Sequence, residues 1–230
     1  STGAFSYTIS DANVATVTGS TTTIVGAGTT SVTVTQAADT NYNSATATMT
    51  LTVSQADIAN ASITAIPDQT YTGSAITISP TVTFNGSTVT ETTDYTVSFA
   101  NNTNAGTASL TITGTGNFTG TKTVSFTIVK AAAPTISFND VSKTYGDVDF
   151  NLSATSSSTG AFSYTISDAN VATVTGSTTT IVGAGTTSVT VTQAADTNYN
   201  SATATMTLTV SHQTPVAQST TVYRDNAATI

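Results

Sequence analysis

TSVTVTQAADTNYNSATATMTLTV, residues 30–53, returns without a change at residues 187–210. Val32 and Val34 share one side of its first half, Met49, Leu51 and Val53 one side of its second half, and Thr fills the positions between. A period of two, oily on one side and hydroxylated on the other, is the pattern of a strand packed on one face. Thr suits the outer side because its β-branch favours extended backbone while its hydroxyl meets water. Between the two halves stands Asp39-Thr-Asn-Tyr-Asn43, with its twin at Asp196–Asn200, the polar turn that lets the strands pair.

The identity extends further. Residues 1–54 and 158–211 match position for position at an offset of 157. Two kinds of module fill that period: module A, complete at 131–211 and partial at 1–54, and module B at 55–130, with residues 212–230 starting a further module or a tail. Lengths of 81 and 76 residues suit small β-sandwiches rather than solenoid coils. Each module offers about seven short strands. In A they are expected at 135–139, 149–154, 161–167, 170–175, 178–184, 187–193 and 204–210. In B the inward sets are Ile76 and Ile78; Tyr95, Val97 and Phe99; Leu110 and Ile112; and Val124, Phe126 and Ile128. Pro67 and Pro134 mark module openings, and Gly26–Gly28, Gly183–Gly185, Gly86 and Gly106 mark turns or bulges. The fold expected is all-β: tandem antiparallel β-sandwiches of Greek-key type. Short junctions without Gly/Ser coil place them in an elongated rod, each bead about 35–40 Å long.

Only 7% of the 230 residues are charged, against roughly 25% in ordinary proteins, while Thr alone makes up about a quarter of the chain. The net charge is −8, and the four bases, Lys122, Lys130, Lys143 and Arg224, are scattered. That excludes a nucleic-acid interface and an anionic membrane surface as partners. No apolar run reaches the ~20 residues of a membrane helix, and the opening STGAFSYTIS reads as mid-protein sequence without a signal peptide. Without cysteine there is no thiol nucleophile, Cys-bound zinc or disulfide.

Asp39, Asn41 and Asn43 have the D-x-N-x-N spacing that opens a calcium loop. Such a loop also needs Gly at position 6 and Glu at position 12, where this chain has Ser44 and Thr50, or Ser201 and Thr207. The turn reading is preferred: Asp39 and Asn41 close an Asx-type turn, and Tyr42 plugs the sandwich end. In module B, GTGNFTGTKT puts Phe118 at the matching place, without an acid. Asp147 and Asp149 form an acidic pair near a module opening; a solvated loop is preferred over the alternative, in which they join a loop acid in an inter-domain calcium site. His212 is the single histidine and reads as a surface residue. Glu91 is the only Glu, so no paired-carboxylate site is supported. No Ser–His–Asp set or phosphate loop is present either. No catalytic, cofactor-binding or metal-ligating residue is therefore assigned, no cofactor is expected, and the chain is read as a non-enzyme.

Residues 151–211, preceded by KTYGD at 143–147, resemble the bacterial Ig-like repeats of very large surface adhesins of Bacteroidota, gliding adhesins among them. Module B, with YTGSAITISP at 71–80 and DYTVSFANNTNAGTASLTITGTGNFTGTKTVSFTI at 94–128, is similar to a second bacterial Ig-like type, and residues 215–230 resemble the first strand of a cadherin-like or Ig-like module. The resemblance implies Ig-like modules on the extracellular bacterial surface, with neighbouring modules of the same polypeptide as partners. Surface glycans or other cells would be reached through a distal tip. It implies a stalk that projects that tip in attachment or gliding motility. Lys–Asn crosslinks known from such stalks need a buried Lys, whereas Lys122, Lys130 and Lys143 read as exposed. Two alternatives compete: an ice-binding face of Thr-x-Thr ladders, and a carbohydrate platform on Tyr71, Tyr145 or Tyr223.

The first A copy has no counterpart of residues 131–157 and so lacks two expected strands. The chain is expected to be a segment of a longer polypeptide; the alternative is a neighbouring chain that donates the missing strands.

Overall fold

A computed structural model describes residues 1–215. These divide into two compact units, Ser1–Val129 and the residues from Lys130 onward. Both are built of strands, with one 3₁₀ turn at Ile58–Asn60 capped by the Asp57 carboxylate.

The first unit opens with β1 (Phe5–Ile9), β2 (Ala15–Thr18), β3 (Thr21–Ile24), β4 (Gly28–Gln36) and β5 (Ala45–Val53). The opening hairpin of the sequence reading is β4–β5, paired antiparallel from Gly28↔Val53 to Gln36↔Ala45. With β1 it makes the sheet β1-β4-β5, while β2 and β3 pair only with each other.

Module B follows with β6 (Ala56–Asp57), β7 (Ser62–Ile63), β8 (Gln69–Thr70), β9 (Val82–Phe84) and β10 (Ser87–Thr88), then β11 (Tyr95–Ala100), β12 (Gly106–Gly114), β13 (Phe118–Thr119) and β14 (Thr121–Val129). Its main sheets run β11-β12-β14-β8 and β10-β9-β7. Ile58, Val82, Tyr95, Leu110, Ile112, Phe126 and Ile128 form the core between them, as the alternation in β11, β12 and β14 requires. Asn85 and Gly86 close the β9–β10 hairpin with φ of 48° and 81°, the two positive dihedrals of a tight hairpin turn.

The second unit contains β15 (Val141–Thr144), β16 (Phe150–Asn151), β17 (Phe162–Ile166), β18 (Ala172–Thr175), β19 (Thr178–Ile181), β20 (Gly185–Gln193) and β21 (Ala202–Ser211). They form the sheets β15-β21-β20-β17 and β16-β19-β18. Leu152, Val171, Ala172, Val189, Met206, Leu208 and Val210 fill the space between.

The structure corrects the reading of the strands and the lysines at four places. Residues 135–139 form no strand, only a bridge from Ser137 to Thr155. Residues 76–79 form none either: Ile76 and Ile78 pack on the core from a loop held by Asn102, whose amide donates to the Ile76 carbonyl at 2.8 Å. The sheets are not purely antiparallel, because β6, β8 and β15 pair in parallel with β13, β14 and β21. These strands lead a module in, β8 and β15 travel with its last strand and β6 with β13, and at two to four residues they carry no readable alternation. The fourth correction concerns Lys122 and Lys143, which are half-buried rather than exposed. Residues 216–230, where the further module or tail was expected, lie outside the described residues.

Candidate functional site

The D-T-N-Y-N turn is the most heavily bonded polar feature of module A. In the second unit, one Asp196 oxygen accepts the Asn198 and Tyr199 amides at 2.8 and 2.7 Å. The other accepts the Ser158 hydroxyl and both the amide and hydroxyl of Thr159, at 2.8–2.9 Å. Five donors fill a carboxylate's roughly four lone-pair positions. The side chain is consumed as a turn cap. Asp39 does the same in the first copy, accepting from Asn41, Tyr42 and Thr2.

These bonds favour the ionised form. The Thr2 amide, followed by that of Asn41, holds Asp39 down to about 2. The Thr159 amide, opposed by some desolvation, holds Asp196 lower still. A folded-state pKa beneath the unfolded value of about 3.9 gives stability that is present above that value and lost as pH falls through the folded one. The contribution of the turns is therefore expected to be full at pH 5 and to decline as pH falls below about 4, with the caps themselves releasing only near pH 2 and below, Asp39 before Asp196. Carboxyl NMR titration checks this: Asp39 should titrate near 2, and neither signal should move on adding calcium. A midpoint near 4 for either residue removes the cap.

The same turn grips the segment that enters its module. Ala131 donates to the Asn198 carbonyl at 2.8 Å, Asn200 donates to the Ala131 carbonyl from both amide groups, and Lys130 Nζ donates to the Asp196 carbonyl at 2.6 Å. Module B repeats the device without an acid. Ala56 donates to the Asn117 carbonyl at 3.0 Å, and the Gln55 amide reaches the Gly116 carbonyl at 2.8 Å. Phe118, at the position of Tyr, packs edge-on against Phe84 with ring centres 5.1 Å apart. Tyr199 is half-buried, but Tyr42 is 62% exposed and plugs nothing, which corrects the sequence reading for the first copy.

Beyond the grip, each lead-in strand joins the last strand of its module in parallel. In the second unit, Val141 to Thr144 run beside Leu208 to Ser211, and Tyr145 adds an amide bond to the Ser211 carbonyl at 2.8 Å. In module B the pair is shorter, Gln69 and Thr70 beside Ile128 and Val129, with Tyr71 donating to the Val129 carbonyl at 2.9 Å.

Among the described residues no segment lies over the inner face of the first copy, and the exposures differ accordingly. Met49 is 60% exposed where Met206 is 4% exposed. Val32, Val34 and Leu51 are half-buried where Val189, Val191 and Leu208 are fully buried. Val14 and Ala15 remain buried, so the first copy keeps its local packing. An apolar trough of about 270 Å³, lined by Tyr7, Val32, Val34, Ala47, Thr48 and Met49, lies along that face.

The remaining candidates are spread out. Asp147 accepts the Thr144 amide and caps its own turn, whereas Asp149 accepts the Thr180 hydroxyl from β19, so the two acids serve different partners. Glu91 bridges to Tyr95, whose phenol burial pushes up. His212 is exposed beside an open cavity of about 710 Å³ shared with Tyr145, Val182 and Gln213. Among the described residues no three His, Cys, Asp or Glu converge. Lys122 donates to the Ala59 and Ala61 carbonyls, and Lys143 lies 4.8 Å over the Phe150 ring; neither meets a carboxamide in these contacts. Tyr71 packs on the module B core, which removes it as a sugar platform, Tyr145 is exposed, and Tyr223 lies outside the described residues. The outer Thr ranks are in register, as in Thr33↔Thr48 and Thr111↔Thr123, but their hydroxyls pair with each other at 3.3 and 2.7 Å. Sheet twist turns successive ranks away from a plane, so the ranks read as a hydroxylated outer face. Among the described residues, no helix is long and apolar enough to cross a membrane.

Scanned against protein-family models and against curated proteins, the sequence matches none. Among solved structures it is similar to the protocadherin gammaB7 EC3-6 cis-dimer structure, at 13% identity and a TM-score of 0.30, covering 91% of this chain and 67% of that one. It is also similar to Drosophila N-cadherin EC1-3, at 13% identity and 0.29, covering 91% and 89%. A third similarity is to the Sidekick-1 immunoglobulin domains 1-5, at 14% and 0.25, covering 91% and 52%. The fold described above stands on the strand pairing of this chain alone.

Proposed function

We propose that this chain is a run of structural spacer modules from a large bacterial cell-surface adhesin. In this reading the modules stand outside the cell, hold a binding tip away from the envelope and carry tension during attachment or gliding. The observation that carries it is the parallel pairing of lead-in and last strands, β15 with β21 and β8 with β14. A chain pulled from both ends draws two such strands past each other. Their hydrogen bonds are then loaded together in shear, whereas an antiparallel terminal pair would be peeled one bond at a time. A low-charge, hydroxylated outer face fits a part that should meet few partners. Bacterial origin and the link to adhesion rest on the sequence resemblance.

Single-molecule pulling tests the mechanical reading. The second unit, with four register pairs and the Tyr145–Ser211 bond, is expected to resist more force than module B, with two pairs and the Tyr71–Val129 bond. Tyr145→Pro removes one of these amide donors from an exposed position and should weaken the stronger event while leaving the other in place. An unchanged force trace would take away the clamp.

A further inference from the structure

We propose that the turn at residues 115–118 is a joint lock that fixes module B to the module ahead of it, with Asn117 as the positioning residue. This deepens the spacer reading and rests on it for its purpose, since a stalk keeps its reach only if its joints do not fold back. Only Ser54 and Gln55 stand between β5 and β6. With two soft dihedrals per residue, such a link by itself leaves two modules free to swivel. The turn removes that freedom from both sides. Toward the link, the Asn117 main-chain carbonyl accepts the Ala56 amide at 3.0 Å, and the Gln55 side-chain amide donates to the Gly116 and Phe118 carbonyls at 2.8 and 3.3 Å. Toward module A, the Asn117 carboxamide oxygen accepts the Ala27 amide at 2.8 Å.

Ala27 is itself anchored. Its neighbours Val25 and Gly26 both donate to the carbonyl of buried Val14, so the loop between β3 and β4 moves with module A. Gly26 leaves room for the approach: a methyl there would come within 2.8 Å of the Asn13 carbonyl oxygen and 3.0 Å of the Asn117 oxygen. Asn117 thus ties a loop of one module to the entry strand of the next, across 90 residues of chain. The residue type supports the same role. Aligned on Phe118 and Tyr199, residues 115–120 and 196–201 have Asn alone in common. The turn is closed by the Phe118 amide on the Thr115 carbonyl at 2.9 Å, and among the described residues the Asn117 carboxamide bonds only Ala27. The side chain serves the joint and not its own turn.

The test uses the full chain and Asn117→Ala. Amide exchange at Ala27 is expected to quicken by about fivefold or more, the effect of losing one hydrogen bond. Residual dipolar couplings of residues 1–54 and of module B should fit one shared alignment frame in the native chain and separate frames in the variant. Ala56 is the control: its acceptor is the main-chain carbonyl of residue 117, which the variant keeps, so its protection should stay. Asn117→Asp retains an acceptor oxygen and should retain both the Ala27 protection and the shared frame. These changes leave the β8–β14 and β15–β21 pairs in place, so the spacer reading stands or falls separately, by pulling. The proposal is overturned if the native chain already shows separate frames, if Asn117→Ala leaves Ala27 exchange or the shared frame unchanged, or if Asn117→Asp behaves as Asn117→Ala does. Loss of Ala56 protection in Asn117→Ala would overturn it too, because the carboxamide would then be holding the turn and not the joint.

Discussion

Leu208→Ala is expected to destabilise the second unit by about 3 kcal/mol, and Leu51→Ala, the same change in the same local sequence, to cost less than about 1 kcal/mol. Leu208 is fully buried between two sheets, so truncation removes its transfer free energy and leaves a cavity that the rigid layers cannot refill. Leu51 is only half-buried among the described residues, so its truncation leaves less of a cavity. Met206→Ala against Met49→Ala should repeat the contrast. Urea unfolding of the two leucine variants, followed by the methionine methyl signals, and of the two methionine variants, followed by backbone amide signals, measures each copy in its own unit. Equal costs at Leu51 and Leu208 would mean that the first copy is closed in solution.

Removing residues 131–157 is the larger perturbation. It withdraws Leu152, 5% exposed, together with the half-buried Phe138, Val141 and Phe150. A fully buried side chain of this kind contributes about 1.5–3 kcal/mol, so the four together supply on the order of 5 kcal/mol. Domains of this size are stable by only about 5–15 kcal/mol. Without the segment, residues 158–211 are expected to lose their cooperative transition, and the Met206 signal to fall at the position of Met49. Module B, with its separate core, should unfold as before. A cooperative transition of 158–211 at an unchanged urea midpoint would show that the lead-in strands only decorate the fold.

How much of this was legible depended on how far each signal reaches along the chain. The long strands β4, β5, β12, β14, β20 and β21 were readable because nine or ten residues of strict alternation leave no other assignment. Asp39 and Asp196 were readable as turn caps because their amide partners lie two and three residues away. β15 was missed because Val-Ser-Lys-Thr has one apolar residue and owes its strand character to a partner 67 residues on. Ile76 and Ile78 were read as a strand because alternation reports which side is buried, and a loop pinned by Asn102 buries the same side. Lys122 was read as exposed because no local feature discloses two carbonyls more than sixty residues back.

The sequence by itself determined that these segments are strands, which side of each is apolar, and where the polar turns fall. Those are consequences of backbone sterics and of side chains alternating about a short stretch of chain. Only the tertiary structure decided whether an apolar side is covered. Residues 1–54 and 158–211 carry the same information, yet Met49 faces outward and Met206 is buried. Met206 is covered by the segment that holds Phe138, Val141, Phe150 and Leu152, because hydrophobic burial is a property of two surfaces and one strand supplies only one of them.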